Sequence, residues 1–441
     1  MPESNLQTRS EWKPLDYVLL TVVMTLMGGL YWGVRGAGGF GGETGGMLAG
    51  AGWGMWWYLA SNAGARADAR PYGSPWALFA IILGVCVGGF TGYGVYISWL
   101  SGVFHYIPGD QGHPIAPAIG FFMLFLCGLH WGGIAGTFLA WCAPARPMTW
   151  WLWCIRIACG LGGAALALWW LRAYPQLHLP FYEEGIYNQP DFKDVQRTRE
   201  QIEPIGQHLG AFAGFLLFEI ARRDWRAVGL MLLFAIGFAV PFCAGAIWQT
   251  NYDSAWKVSW WKHWEITIGL GGGLTFGLAF WLFNRPGDTL RPVIVNIGER
   301  FFNWGGILWL VLFTIIHGSV TGRLNMHHVK LDTTQIIGAF LAGMGVCTLA
   351  LFWRYRGERV VDLVPGGNLL PLRPFALVQA SILTATLLVS VPPQMELANI
   401  VVLSAYAVFV GISAACGWWL YQRVGEVETI PYVTPAQRFR M

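Results

Sequence analysis

Residues 28–54 read GGLYWGVRGAGGFGGETGGMLAGAGWG, and the placement of this run decides the fold. Thirteen of its twenty-seven residues are glycine, with one arginine, Arg35, and one glutamate, Glu43. Glycine this dense ordinarily marks a linker, but linkers carry Ser, Pro and charge, whereas these glycines alternate with Leu, Trp, Met and Phe. The pattern fits backbone packed tightly in lipid. There, large apolar side chains gain little by meeting one another, so close helix contact depends on small residues; Gly46, Gly50 and Gly54 give two overlapping small-xxx-small steps. Arg35 and Glu43 are then the residues that require a reason.

The rest of the chain supports this placement. Its 441 residues are 55% hydrophobic and only 12% charged, with a mean hydropathy of +0.47, against about 25% charged in soluble domains. Windows of about nineteen residues predict twelve spans, at 15–33, 42–60, 76–98, 117–141, 150–171, 205–221, 226–248, 262–283, 304–320, 334–353, 374–391 and 397–420. Each is of a length to cross a hydrocarbon core of roughly 30 Å. The expected fold is an all-α polytopic integral membrane protein, one membrane domain over 1–441 with a long extracytoplasmic loop at 172–204. The first span follows a polar segment and leads into another span, so it is expected to stay as an anchor.

Charge sets the expected orientation. With the amino terminus inside, eighteen of the 28 Lys and Arg fall on the inner segments, nine on the outer ones, and Arg156 within a span. That asymmetry places both termini in the cytoplasm and suits a bacterial inner membrane. The net charge of +4 is small and dispersed, which argues against nucleic acid as a partner. All eight cysteines lie in or at the ends of apolar spans without a Cys-x-x-Cys pair, so they read as small buried hydrophobes. Tryptophans at span ends, among them Trp56, Trp57, Trp150, Trp151, Trp260, Trp261, Trp418 and Trp419, suit the membrane interface.

A weak internal repeat aligns His130-Trp-Gly-Gly-Ile-Ala-Gly without gaps to His208-Leu-Gly-Ala-Phe-Ala-Gly, with looser echoes after Glu43, Glu265 and Gln335. All lie on even-numbered spans, as a repeated helical hairpin would place them.

The polar residues of the spans gather at one depth. Arg35, Glu43, His208, Lys262, Glu265, His317 and Arg323 all fall in or near the outer leaflet, where ionisable groups tend to face a protein interior or a water-filled cavity. They are the candidate substrate-binding residues. Arg35 could clamp a carboxylate or phosphate in two-pronged fashion beside the free amides that open the second span, or it could pair with Glu43 and close the hairpin. Lys262 and Glu265 are three apart and share a helix face. Glu43 and Glu265 are the two candidate acid/base residues if the protein is an enzyme. His317 and the adjacent His327 and His328 lack the spacing of a metal site, and no metal is expected. Gly36-x-Gly38-x-x-Gly41 fits a dinucleotide fingerprint formally, but it follows a membrane span and not a strand. No cofactor is indicated.

These features lead to a transporter-like membrane protein with an outward-facing polar pocket for a small anionic or polar solute, by analogy with architectures in which broken helices aim at the substrate. Two alternatives stand beside it. One is a membrane-embedded enzyme acting on a lipid-linked or headgroup substrate from the outer face; the other is a structural subunit of a membrane assembly. The partners expected are membrane lipids, a small anionic solute, and further copies or other subunits of a membrane complex.

Overall fold

The computed structural model describes residues 11–35, 42–66, 69–251, 259–287, 314–321, 323–324, 342–343, 346, 379–387 and 397–424. Its helices are α1 (Pro14–Arg35), α2 (Gly42–Ser61), α3 (Pro75–Gly88), α4 (Tyr96–Leu100), α5 (Pro117–Trp141), α6 (Trp150–Ala173), α7 (Lys193–Ala221), α8 (Trp225–Gly245), α9 (Trp260–Phe283) and α10 (Leu397–Val424). Among the described residues, six helical segments are long and apolar enough to cross a membrane: Pro14–Arg35, Pro117–Trp141, Trp150–Ala173, Trp225–Thr250, Trp260–Phe283 and Asn399–Val424. The chain is a helical protein with the apolar spans of an integral membrane protein. The count of twelve is not reached: the spans expected at 304–320, 334–353 and 374–391 lie largely outside the described residues, and those expected at 42–60, 76–98 and 205–221 fall on α2, α3 and α7, which are not among the six.

Two elements differ from their sequence expectation. The span expected at 76–98 stops at Gly88, where the Gly-rich segment up to Gly94 bends the chain and the Thr91 hydroxyl donates to the Gly88 carbonyl. The helix expected to begin at 205 begins at Lys193. Hydropathy overlooks those first turns because they are highly charged, yet Val195, Thr198, Ile202 and Ile205 form one buried stripe.

Neighbouring helices pack antiparallel through glycine. α1 lies on α9, α2 on α3, α5 on α8 and α6 on α7. A Cβ at Gly273 of α9 would overlap the Met24 carbonyl of α1, and one at Gly50 of α2 would press on the backbone of Ile82 in α3. Gly46 and Gly54 meet α3 in the same way, at Val85 and Leu78. In lipid, where helix association rests on packing, these seams give the backbones their close approach.

Successive helices alternate in direction, so their ends collect on two faces. On one, the Trp12 indole donates to the Ala63 carbonyl, the Asn284 amide joins Ser61 to the end of α9, and Arg423 at the end of α10 meets Asp16 at the start of α1 at 2.6 Å. We call this the basic face, since Arg66, Arg70, Arg222, Arg226, Arg285 and Arg423 collect there. The opposite, far face carries the ends of α1 and α3 and the starts of α2, α5, α7 and α9.

A small cap covers part of the far face. Strands β1 (Val103–Phe104) and β2 (His113–Pro114) pair antiparallel, and Tyr106 stacks on His113 with centroids 3.7 Å apart. The Tyr106 hydroxyl donates to Glu184 at 2.6 Å, tying the hairpin to the α6–α7 loop. Burial and the Glu184 carboxylate push the Tyr106 phenol up to about 12. Burial works to raise the Asp110 carboxyl, but His105 and the amides of Tyr106, Ile107 and Gly112 outweigh it and hold Asp110 down at about 2.

Trp32, Trp53, Trp57, Trp131 and Trp264 are fully buried and interlock with Phe238, Phe242 and Phe276 at the bundle centre. Trp57, expected at the interface, belongs to this core. Trp150, Trp151, Trp418 and Trp419 do face outward.

Candidate functional site

Arg35 is the last residue of α1 and is 3% exposed. Carbonyls left open at a helix carboxyl end favour a cation, so its position is electrostatically suited to arginine. Three aromatic rings enclose the guanidinium, which lies 4.7 Å from the Trp131 centroid, 4.8 Å from Trp32 and 5.6 Å from Tyr93. Ring faces carry negative quadrupole density and attract such a cation most strongly when water is excluded. Nη1 also donates to the Tyr93 hydroxyl at 2.6 Å.

Among the described residues, no carboxylate lies within ion-pair distance of Arg35. Arg35 Nε has no hydrogen-bond partner, and neither do the indole N–H groups of Trp32 and Trp131. Those two tryptophans meet edge to face with centroids 5.0 Å apart. All three groups are donors only. Buried donors are nearly always satisfied in folded proteins, so a cluster short of acceptors calls for an oxygen-rich or anionic partner.

α9 contributes the second part. Lys262 Nζ donates to Glu265 Oε2 and to the Gly33 carbonyl, both at 2.8 Å, and the Trp261 indole donates to Glu265 Oε1 at 2.7 Å. Lys262 thus satisfies one of the open carbonyls at the end of α1 and fixes α9 against it. Glu265 is 1% exposed, with both oxygens engaged. Tyr93 bridges the two parts: its hydroxyl accepts from Arg35, and its ring stacks on Trp261 and meets Trp264 edge to face. From α10, the Tyr406 hydroxyl is buried without a partner and fills the space that a side chain at Gly33 would need.

Arg35, Lys262 and Glu265 are therefore neighbours. Glu43 is not part of their bonding: it lies partly exposed in the first turn of α2, where its backbone nitrogen packs against Gly89, and it makes no ion pair with Arg35. Its charge suits the amino end of α2 instead. His208 meets His130 with ring centroids 5.1 Å apart, and His130 Nε2 lies 3.0 Å from the Thr91 hydroxyl. The two histidines matched by the internal repeat thus touch across the parallel helices α5 and α7. His317 lies on segment 314–321, which meets α2 where the Thr314 hydroxyl faces Met47 Sδ at 3.8 Å; Arg323 is exposed just beyond. His327 and His328 lie outside the described residues. Among the described residues no group of three or more His, Cys, Asp or Glu is placed to hold a metal.

Trp32, Tyr93, Trp131 and Tyr406 complete the neighbourhood and are not singled out by sequence reasoning. Being uncharged, they carry no anomaly in an apolar, tryptophan-rich chain. The one available signal is the Thr91-Gly-Tyr93-Gly break that ends α3 early.

Two further buried arginines lie toward the basic face: Arg70, among the rings of Trp12, Tyr17 and Phe280 and donating to the Asn284 carbonyl, and Arg156. Arg156 of α6 is 1% exposed and Glu219 of α7 is fully buried; their side chains form an ion pair, and Arg222 joins Glu219 at 3.2 Å. The Arg156 guanidinium lies 4.4 Å from the Trp153 centroid and 5.5 Å from Trp141. No known protein family, curated protein or solved structure matches this chain, so the site is judged on its own geometry.

Proposed function

We propose that this protein binds a small anion or anionic group where the end of α1 meets the start of α9, and that it serves as a transporter for a small anionic or polar solute. One observation carries the reading: among the described residues no carboxylate lies beside the buried Arg35 guanidinium, while its own Nε and the indole N–H groups of Trp32 and Trp131 are idle donors. Isolating a charge from water is costly unless it is paired. A bound carboxylate or phosphate oxygen would supply the missing charge and accept from Arg35, Trp32 and Trp131 together.

Lys262 and Glu265 add a second, internally neutral pair, which positions the end of α1 without offering the anion a competing carboxylate. The polar neighbourhood sits beside a packed aromatic core, so an anion entering it would leave water behind. The Arg35 site supports binding in the first instance, and the transport step is our functional reading of it.

The test is a thermal-stability and calorimetric titration of the full chain in detergent with acetate, phosphate and sulfate. At least one should bind, and Arg35→Gln should weaken that binding about tenfold or more, the effect expected for loss of a charge-assisted bond. Reconstituted vesicles then read flux of the anion that binds. Binding without flux would redirect the reading to a membrane enzyme or subunit; absence of binding for all anions would remove its basis.

A further inference from the structure

A cavity of about 450 Å³ opens on the far face between the end of α6, the α6–α7 loop and the first turns of α7. Arg172, Arg199, Glu200 and Glu203 line it, with His178 beside them. Its apolar floor comes from Leu171, Leu179 and Ile202. We propose that this cavity holds the headgroup of a zwitterionic phospholipid with a primary ammonium, whose acyl chains lie along α6. The inference is independent of the Arg35 reading.

Charge selects the headgroup. Two guanidiniums and two carboxylates leave the lining formally neutral, which gives a purely anionic headgroup no net attraction. Arg172 donates through both Nε and Nη2 to Glu203, at 3.2 and 2.7 Å. Arg199 and Glu200 have no ion-pair partner among the described residues, leaving one charge of each sign facing the same space. Arg199 is held near the Tyr187 ring, 5.9 Å from its centroid. A phosphate suits the arginine fork, while a primary ammonium has N–H groups to donate to Glu200. A trimethylammonium has none. Burial pushes the His178 imidazolium down, with smaller opposing effects from the Tyr174 carbonyl and Glu203, so His178 adds no charge at neutral pH.

Location selects a lipid over a dissolved solute. Among the described residues, α6 is the least buried of the apolar spans. Its outward strip includes Leu166, 63% exposed, and Trp169, 59% exposed, and runs directly into Arg172. Trp170 and Tyr174, also exposed, mark the depth at which amphipathic rings settle at a membrane surface. A headgroup in the cavity would therefore have an apolar track for its chains, and the volume lies within the range of small-molecule sites, roughly 300–1,000 Å³.

Native mass spectrometry of the detergent-purified full chain tests this, with phosphatidylethanolamine, phosphatidylglycerol and phosphatidylcholine of identical acyl chains. Phosphatidylethanolamine should be retained at about tenfold lower concentration than either of the others. Glu200→Gln and Arg199→Gln should each abolish that preference without moving the thermal midpoint. Equal retention of the three lipids, a preference for phosphatidylglycerol, or a preference that survives both substitutions overturns the proposal. Water-soluble phosphoethanolamine should compete only at far higher concentration; displacement at equal concentration would mark a solute site and overturn the lipid assignment.

Discussion

Arg35 and Arg156 are two versions of the same structural problem. Each is an arginine almost wholly withdrawn from water, each lies against tryptophan rings, and each sits near one end of the helical bundle. Each also leaves donors idle: Arg35 Nε with the Trp32 and Trp131 indoles, and Arg156 Nε and Nη1 with the Trp141 indole. Idle donors thus do not tell the two apart. The counter-charge does. Arg156 faces a buried carboxylate, Glu219, supported by Arg222, whereas among the described residues Arg35 has the neutral hydroxyl of Tyr93 as its hydrogen-bond partner. The comparison teaches that an aromatic cage makes room for a guanidinium but leaves its charge to be answered. Among the described residues a carboxylate answers it at Arg156 and none does at Arg35 or at Arg70, whose guanidinium lies among Trp12, Tyr17 and Phe280 and donates to the Asn284 carbonyl.

The largest effect should come from opening the closed version. Glu219→Gln leaves Arg156 and Arg222 beside a neutral group and should cost about 3–5 kcal/mol, the range for breaking a buried ion pair. Denaturation in detergent measures it. Replacing Arg156 and Glu219 together with Met and Leu should restore most of the loss. If Glu219→Gln proves harmless, the two cages are not different in kind.

Seam glycines should come next. A Cβ at Gly269 would collide with the Gly28 carbonyl and press on Trp32. Gly269→Ala should therefore cost about 1–3 kcal/mol by overpacking and weaken anion binding at Arg35, while leaving the Arg156 pair intact. Thermal melts and anion titration, run in parallel, separate the two outcomes.

Removing the open arginine should do less to stability. Arg35→Met in the absence of anion should change unfolding free energy by no more than about 1 kcal/mol, because lost ring contacts and the relieved burial of a lone charge oppose one another. A destabilisation as large as that of Glu219→Gln would show that Arg35 is retained for the fold and not for a ligand.

The smallest effect concerns the cap on the far face. Asp110 is held at about 2, below the ordinary aspartate value near 3.9. A depressed folded value stabilises the hairpin above the unfolded value, and that contribution fades as pH falls through the folded one. Amide protection factors across 103–114, corrected for intrinsic exchange, should stay high at pH 5 and fall between about pH 4 and pH 2. Asp110→Asn should remove that dependence; the basic face, lacking the hairpin, should show no matching change.

Much of the architecture could be read from residue spacing. Gly46, Gly50 and Gly54 recur every four residues, a local helical property, and all three meet α3. Lys262 and Glu265 are three apart on one helix and bond as that spacing implies. Sequence proximity left open whether Arg35 and Glu43 pair; eight positions apart, they do not, with Arg35 enclosed by Trp32, Tyr93 and Trp131 and Glu43 partly exposed in the first turn of α2. The early end of α3 and the early start of α7 escape a hydropathy window, which averages away a glycine bend and counts a charged amphipathic turn as loop. Tyr93, Trp131 and Tyr406 come from three different elements and carry no charge. Their meeting around Arg35 and Gly33 is set by tertiary packing, which no single stretch encodes. His130 and His208 are an intermediate case, since a faint repeat paired them before packing brought their rings together.

The central claim is that the Arg35 charge is answered by a bound anion, and an experimental density map of the full chain prepared in selenate, a strongly scattering oxyanion, tests it most directly. The account predicts selenate density within hydrogen-bond distance of Arg35 Nε and of the Trp32 and Trp131 indole nitrogens, lost in Arg35→Gln. Density showing those three donors closed off by protein carbonyls or a carboxylate, with no anion at the site, would contradict it.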